Sequence, residues 1–135
     1  MKRLVFLFLA LFLSAYSLFS ATEIGAGDVA GTWTTAGSPY NINGDITVPF
    51  GSTLTIEPGV EVNFKGHHLF NIQGDMQAVG TAVDSIKFTA TNTTEGWNGL
   101  RFVHQDGAGA VVKSNIDYAI VEYGNANGTN WNAYG

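Results

Sequence analysis

The chain has 135 residues, 11 acidic and six basic side chains, 17 glycines and no cysteine, which bounds it to one modest domain without disulfides. Setting aside the basic start Lys2-Arg3 leaves 6 − 2 = 4 basic residues against 11 acidic ones, a formal charge of 4 − 11 = −7. That balance argues against nucleic acid and anionic membrane surfaces as partners, since both select basic surface.

The first element is not part of the fold. Lys2-Arg3 precedes an unbroken apolar run from Leu4 to Leu13, and Ser14, Ala15, Tyr16, Ser17 and Ser20-Ala21 follow before the first acidic residue, Glu23. A charged start, an apolar middle and a small-residue end predict a secretory signal peptide over 1–21, cut between 17 and 21. A transmembrane anchor needs about 20 apolar residues, and this run is shorter and broken by serines. The expected localisation is therefore secreted or cell-surface, with no membrane span after cleavage.

The mature part is rich in Gly, Thr and Asn, with no long helix-forming stretch, so short strands joined by tight turns are expected. Their order reveals a repeat. Gly51-Ser-Thr-Leu-Thr-Ile-Glu-Pro-Gly59 is followed by Val62-Asn-Phe64, and Gly74-Asp-Met-Gln-Ala-Val-Gly80 by Ile86-Lys-Phe88. Ahead of each unit stands another short strand, Ile46-Thr-Val48 and Phe70-Asn-Ile72. A looser third copy runs through Leu100-Arg-Phe102, Val111-Val112 and Ile116-Asp-Tyr118, displaced by an insertion placed in the polar loop Thr91 to Gly96.

Three strands per unit of roughly two dozen residues is the metric of a parallel β-helix. Alternation sends every second side chain inward. Stacking the copies predicts three internal ladders: Ile46, Phe70 and Leu100; Val48, Ile72 and Phe102; and Phe64, Phe88 and Tyr118. The outward rows are then Thr47, Asn71 and Arg101; Thr55 and Gln77; and Asn63, Lys87 and Asp117, with Lys87 and Asp117 forming a surface ion pair. An antiparallel sandwich is the rival reading, but a hairpin meander has no reason to repeat at a fixed offset, and Asn-Gly or Asp-Gly hairpin turns are scarce between the paired strands.

The stretch from Tyr40 to Val60, with Ile86-Lys-Phe-Thr-Ala90, Trp97-Asn-Gly-Leu-Arg-Phe102 and Ile120-Val-Glu-Tyr-Gly124, resembles the opening of bacterial secreted or surface right-handed β-helix repeat proteins. The resemblance covers roughly 31–124 and is specific for fold rather than function. It implies an all-β solenoid of about three coils over 43–123. The preceding 22–42, with Trp33 and Tyr40, would cap the open end, and a loop-like tail over 124–135 would begin a further coil beyond the sequence.

Sites are sparse. Enzymes of this fold carry acidic and basic residues on one outer face, where paired carboxylates serve glycoside hydrolysis or hold calcium, yet none of the proposed rows carries two carboxylates. His67-His68 lacks a third ligand at useful spacing, and His104, Asp106 and Glu122 form no recognisable constellation. Gly107-Ala-Gly109 has no Lys-Ser/Thr sequel and no helix after it, so a phosphate loop is excluded. No catalytic, cofactor or metal residue is assigned. The candidate ligand contacts are Trp97, whose ring suits stacking on a sugar although a plug at the turn is the competing role, and Arg101, which has no acidic neighbour in its row. Trp131 and Tyr134 are assigned to an unfinished coil. The expected function is a non-catalytic extracellular scaffold or adhesion protein that takes polysaccharide or cell-surface glycan as partner. The alternative is the N-terminal part of a polysaccharide lyase or glycoside hydrolase whose active site lies beyond residue 135.

Overall fold

The structure, a computed structural model, describes residues 20–103 and 113–126. Residues 1–19 of the predicted signal segment, Val111-Val112, His104, Asp106, Gly107-Ala-Gly109, Trp131 and Tyr134 lie outside the described residues.

Over the described residues the chain winds through four coils of three strands. β1 (Thr22–Ile24), β2 (Gly27–Asp28) and β3 (Gly31–Trp33) make the first, and β4 (Tyr40–Ile42), β5 (Ile46–Val48) and β6 (Thr53–Ile56) the second. β7 (Glu61–Phe64), β8 (Phe70–Ile72) and β9 (Asp75–Val79) make the third, and β10 (Ile86–Ala90), β11 (Leu100–Phe102) and β12 (Asn115–Asp117) the fourth; β13 (Ala119–Val121) opens a fifth. Every third strand pairs in parallel with the one before it. The result is three sheets: sheet A runs β1-β4-β7-β10-β13, sheet B β2-β5-β8-β11 and sheet C β3-β6-β9-β12. This is a parallel β-helix. The stretch expected to cap it, 22–42, is itself a complete coil and the start of the next.

Alternation explains the core. Ile46, Val48, Leu54, Ile56, Val62, Phe64, Phe70, Ile72, Met76, Ile86 and Phe88 all point inward and are buried. Each apolar side chain taken from water contributes about 1.5 to 3 kcal/mol, and a single coil has no second layer to supply that burial. Aromatic rings join the coils through the centre: Trp33 stacks on Tyr40 at 4.6 Å between centroids, while Phe70 lies 6.4 Å from both Phe64 and Phe88. The corners are equally constrained. A Cβ on Gly74 would sit 2.3 Å from the carbonyl oxygens of Pro49 and Ser52 on the coil below, so only glycine fits where those backbones meet.

Two of the three predicted ladders stand as read. Ile46 pairs with Phe70 and Phe70 with Leu100, and Val48 with Ile72 and Ile72 with Phe102. The third is corrected. Phe88 stacks on Val62 and under Val121, while Phe64 lies between Ile42 and Ala90. Tyr118 belongs to no ladder: it turns the chain between β12 and β13 at φ 46, with its ring exposed. Ile116 stacks instead on Ala78 in sheet C.

The physical reason lies in the corners. Ala78 to Phe88 spans 88 − 78 = 10 residues where Ile56 to Val62 spans 62 − 56 = 6, so the turn at 80–85 holds four extra residues. The loop at 91–96 holds another four, since Ala90 to Leu100 is 100 − 90 = 10 against 70 − 64 = 6. One insertion is in fact two. The resulting slip of two residues is even, and an even slip leaves every side chain of a strand on its predicted face.

Phe88→Ala, which empties the centre of the core, is expected to cost about 3 to 5 kcal/mol in urea denaturation. Val83→Ala, at an exposed corner, should change stability by less than about 0.5 kcal/mol.

Candidate functional site

With the core packed by one face of each strand, any site has to be built from the outward rows or the corners. Sheet A carries the most developed row, in which Glu23, Asn41, Asn63 and Thr89 occupy successive coils. Glu122, just past β13, falls beside Thr89, because its backbone N–H donates to the Phe88 carbonyl at 3.0 Å. These side chains bond to one another from coil to coil. Asn41 and Asn43 each donate through Nδ2 to Glu23 at 2.6 Å, Asn63 Nδ2 donates to Asn41 Oδ1 at 3.3 Å, and Thr91 Oγ1 to Asn63 Oδ1 at 3.1 Å. At the far end Thr89 Oγ1 donates to Glu122 Oε1 at 2.7 Å, and Lys87 Nζ lies 3.0 Å from the same oxygen.

This corrects the predicted row of Asn63, Lys87 and Asp117. Lys87 pairs in register with Glu61 and Ile120, and Asp117 stands on sheet C beside Val79. Lys87 therefore has Glu122 as its ion-pair partner, not Asp117. Reading Ile120-Val121-Glu122 over Lys87-Phe88-Thr89 would have found it in the sequence. The preference for an even repeat hid that alignment.

The electrostatics follow from these bonds. The amides of Asn41 and then Asn43 hold the Glu23 carboxyl below its usual range. Thr89 and then Lys87 do the same for Glu122, and the hydrogen bond to Glu122 raises Lys87. The two carboxylates sit at opposite ends of the row, separated by Asn41, Asn63 and Thr89, so they cannot divide acid and base roles at one bond.

Sheet B presents the predicted row of Thr47, Asn71 and Arg101, preceded by Asp28. Arg101 donates through Nε to Asn71 Oδ1 at 3.1 Å, and its side chain is exposed. Thr55 and Gln77 also stack as predicted, between Thr32 and Asn115. Trp97 is not a ligand contact. Its exposure is 0%, its indole stacks on Phe64 at 4.0 Å, and Nε1 donates to the Glu122 carbonyl at 2.8 Å. Ala90 over Phe64 is small, and the space it leaves takes the indole. Of the two proposed contacts, the structure keeps only Arg101 at the surface.

At the corner between sheets A and B, His68 Nδ1 lies 3.9 Å from Asp45 Oδ1, and His67 Nε2 meets the Asn125 carbonyl oxygen. Among the described residues no three His, Cys, Asp or Glu side chains are grouped to hold a metal, and no helix is long and apolar enough to cross a membrane.

No family model matches the chain, and no solved structure matches it. Over 83 residues it is 36% identical to Protein bark beetle of Drosophila melanogaster; the match covers 60% of this chain and 3% of that protein.

The row predicts an acid response. Both carboxylates have lowered folded values, so their stabilisation is complete above the ordinary glutamate range and is lost as pH falls below about 4. Lys87 is raised, so its share persists through neutral pH and fades only in strong alkali. Amide hydrogen exchange should show β1 and β13 loosening first on acidification, and Glu122→Gln should flatten the response at β13 alone.

Proposed function

We propose that the protein is a non-catalytic extracellular or cell-surface scaffold whose flat outer faces serve as an adhesion platform for polysaccharide or cell-surface glycan. One observation carries this reading: the side chains of this row on sheet A are spent on one another in two runs, Glu23 through Asn41 and Asn63 to Thr91, and Thr89 with Lys87 on Glu122. Catalytic carboxylates need a poised, separately tuned pair facing the substrate. A row of interlocked amides and hydroxyls instead stiffens a rod and offers repeating polar edges about 4.8 Å apart. The acidic mature chain suits neutral or basic glycans better than polyuronides. Export by the leader over 1–21 belongs to the same proposal, as does kinship with the bacterial β-helix repeat proteins.

Incubating the full chain with polyuronides, with and without calcium, is expected to release no unsaturated product. Steady release would contradict the scaffold reading and favour a lyase. Retention of the chain on immobilised neutral glycan, weakened by Arg101→Ala but not by Val83→Ala, is the positive result. Export is checked by N-terminal sequencing of protein recovered from the medium, which should begin between residues 18 and 22.

A further inference from the structure

The three faces of the solenoid differ in how much of their hydrogen-bonding capacity is already used. On sheet A the carboxylates of Glu23 and Glu122 and the amides and hydroxyls beside them are bonded to one another. On sheet C, Gln77 Nε2 donates to the Lys113 carbonyl oxygen, and Asp75 Oδ1 accepts from the Lys113 N–H at 2.6 Å. The row on sheet B, Asp28, Thr47, Asn71 and Arg101, contains one bond, from Arg101 Nε to Asn71 Oδ1. Among the described residues, the Asp28 carboxylate, the Thr47 hydroxyl and both Nη groups of Arg101 have no partner.

Beside this row stands an aromatic ring with no part in the core. Val48 to Thr53 spans 53 − 48 = 5 residues, where Ile72 to Asp75, in register with them, spans 75 − 72 = 3. The corner from sheet B to sheet C therefore holds two extra residues. They form a turn closed by the Ser52 N–H on the Pro49 carbonyl at 3.0 Å, with Gly51 at φ 76. Phe50 rides on that turn, 44% exposed, and stacks on no other ring among the described residues. An apolar ring held out in water next to polar groups suits a sugar, which has an apolar face and a polar rim.

We propose, resting on the glycan-platform reading, that the ligand is an uncharged oligosaccharide laid along sheet B. One sugar stacks on Phe50, and hydroxyls of the chain bond to Asp28, Thr47 and Arg101. Asn71, buried beneath, fixes the guanidinium through Nε and leaves both Nη groups for the ligand. Asp28 to Arg101 spans three strand spacings, about 14 Å, which calls for a run of sugars rather than one. Charge selects the class. One carboxylate and one guanidinium stand at opposite ends of the row, so its net charge is zero. A uronate chain would set like charge against Asp28 and an amino-sugar chain against Arg101. Hydroxyls satisfy both ends, donating to the carboxylate and accepting from the guanidinium.

Binding of the full chain to an array of neutral, uronate and amino-sugar oligosaccharides tests this. Neutral members are expected to bind, about fivefold more weakly after Phe50→Ala. Thr32→Ala, exposed on sheet C, should leave binding unchanged. Asp28→Lys, which makes the row net positive, should turn the preference to uronates, a change that lost packing alone does not produce. Circular dichroism identifies any variant that fails to fold, and Asp28→Lys, at an exposed position, keeps the test informative if Phe50→Ala does not fold. Binding to no member of the array would overturn both this seat and the glycan platform. Binding weakened by Arg101→Ala, with Phe50→Ala and Asp28→Lys both without effect, would overturn the seat and leave the platform standing. Loss of binding with Thr32→Ala would move the site to sheet C, and a preference of the unaltered chain for uronates would overturn the ligand class.

Discussion

Vertical stacking of the coils is the constraint on which the rest depends. A strand of three or four residues is too short to hold itself together in water, and none of these strands exceeds five residues. Each persists because the coil below supplies its hydrogen-bond partners and an apolar floor. The aromatic bridges make the dependence concrete: Trp33 touches Tyr40 and Phe70, Phe70 touches Phe64 and Phe88, and Phe64 carries Trp97. A chain without cysteine is cross-linked through its core instead.

The same geometry orders the surface. Residues one coil apart are forced side by side, so an outward asparagine meets whatever the next coil presents at that position. On sheet A this yields two hydrogen-bonded runs with a carboxylate at each far end, one held by asparagine amides and the other by Thr89 and Lys87. Such a row spends its donors and acceptors internally. That favours a rigid support over a reactive site, and the proposed function follows from it.

How far the sequence could be read depended on the corners. In sheet B the offsets followed from simple repetition, and Val48-Ile72-Phe102 was legible because apolar-polar-apolar triplets recur on either side of one obvious loop. In sheet A the same logic misplaced Phe88 by two positions. The turn at 80–85 lengthened by four residues while keeping polar, turn-like composition, so composition gave no sign of it. Parity protected the inside–outside assignment but not the row partners, and that is why the partner of Lys87 was missed. Trp97 was ambiguous for a different reason. A tryptophan before a strand fits a surface platform or an internal plug equally well, and only the small Ala90 above Phe64 shows where the indole has room. The first coil was hidden because Gly27 and Gly31 remove the apolar alternation that marks the others.

The register between β7 and β10 tests the stacking most directly, because the even-repeat alignment and the structure disagree there. Neighbouring parallel strands place paired Cα atoms about 4.8 Å apart, within reach of a disulfide, whereas a residue two positions along the strand lies about 8 Å away, beyond it. In the cysteine-free chain, Asn63→Cys with Thr89→Cys is expected to close an intramolecular disulfide on oxidation, and Asn63→Cys with Lys87→Cys to leave both thiols free. Closure of the Asn63–Lys87 pair and not the Asn63–Thr89 pair would contradict the register, and with it the packing of the core and the row on sheet A.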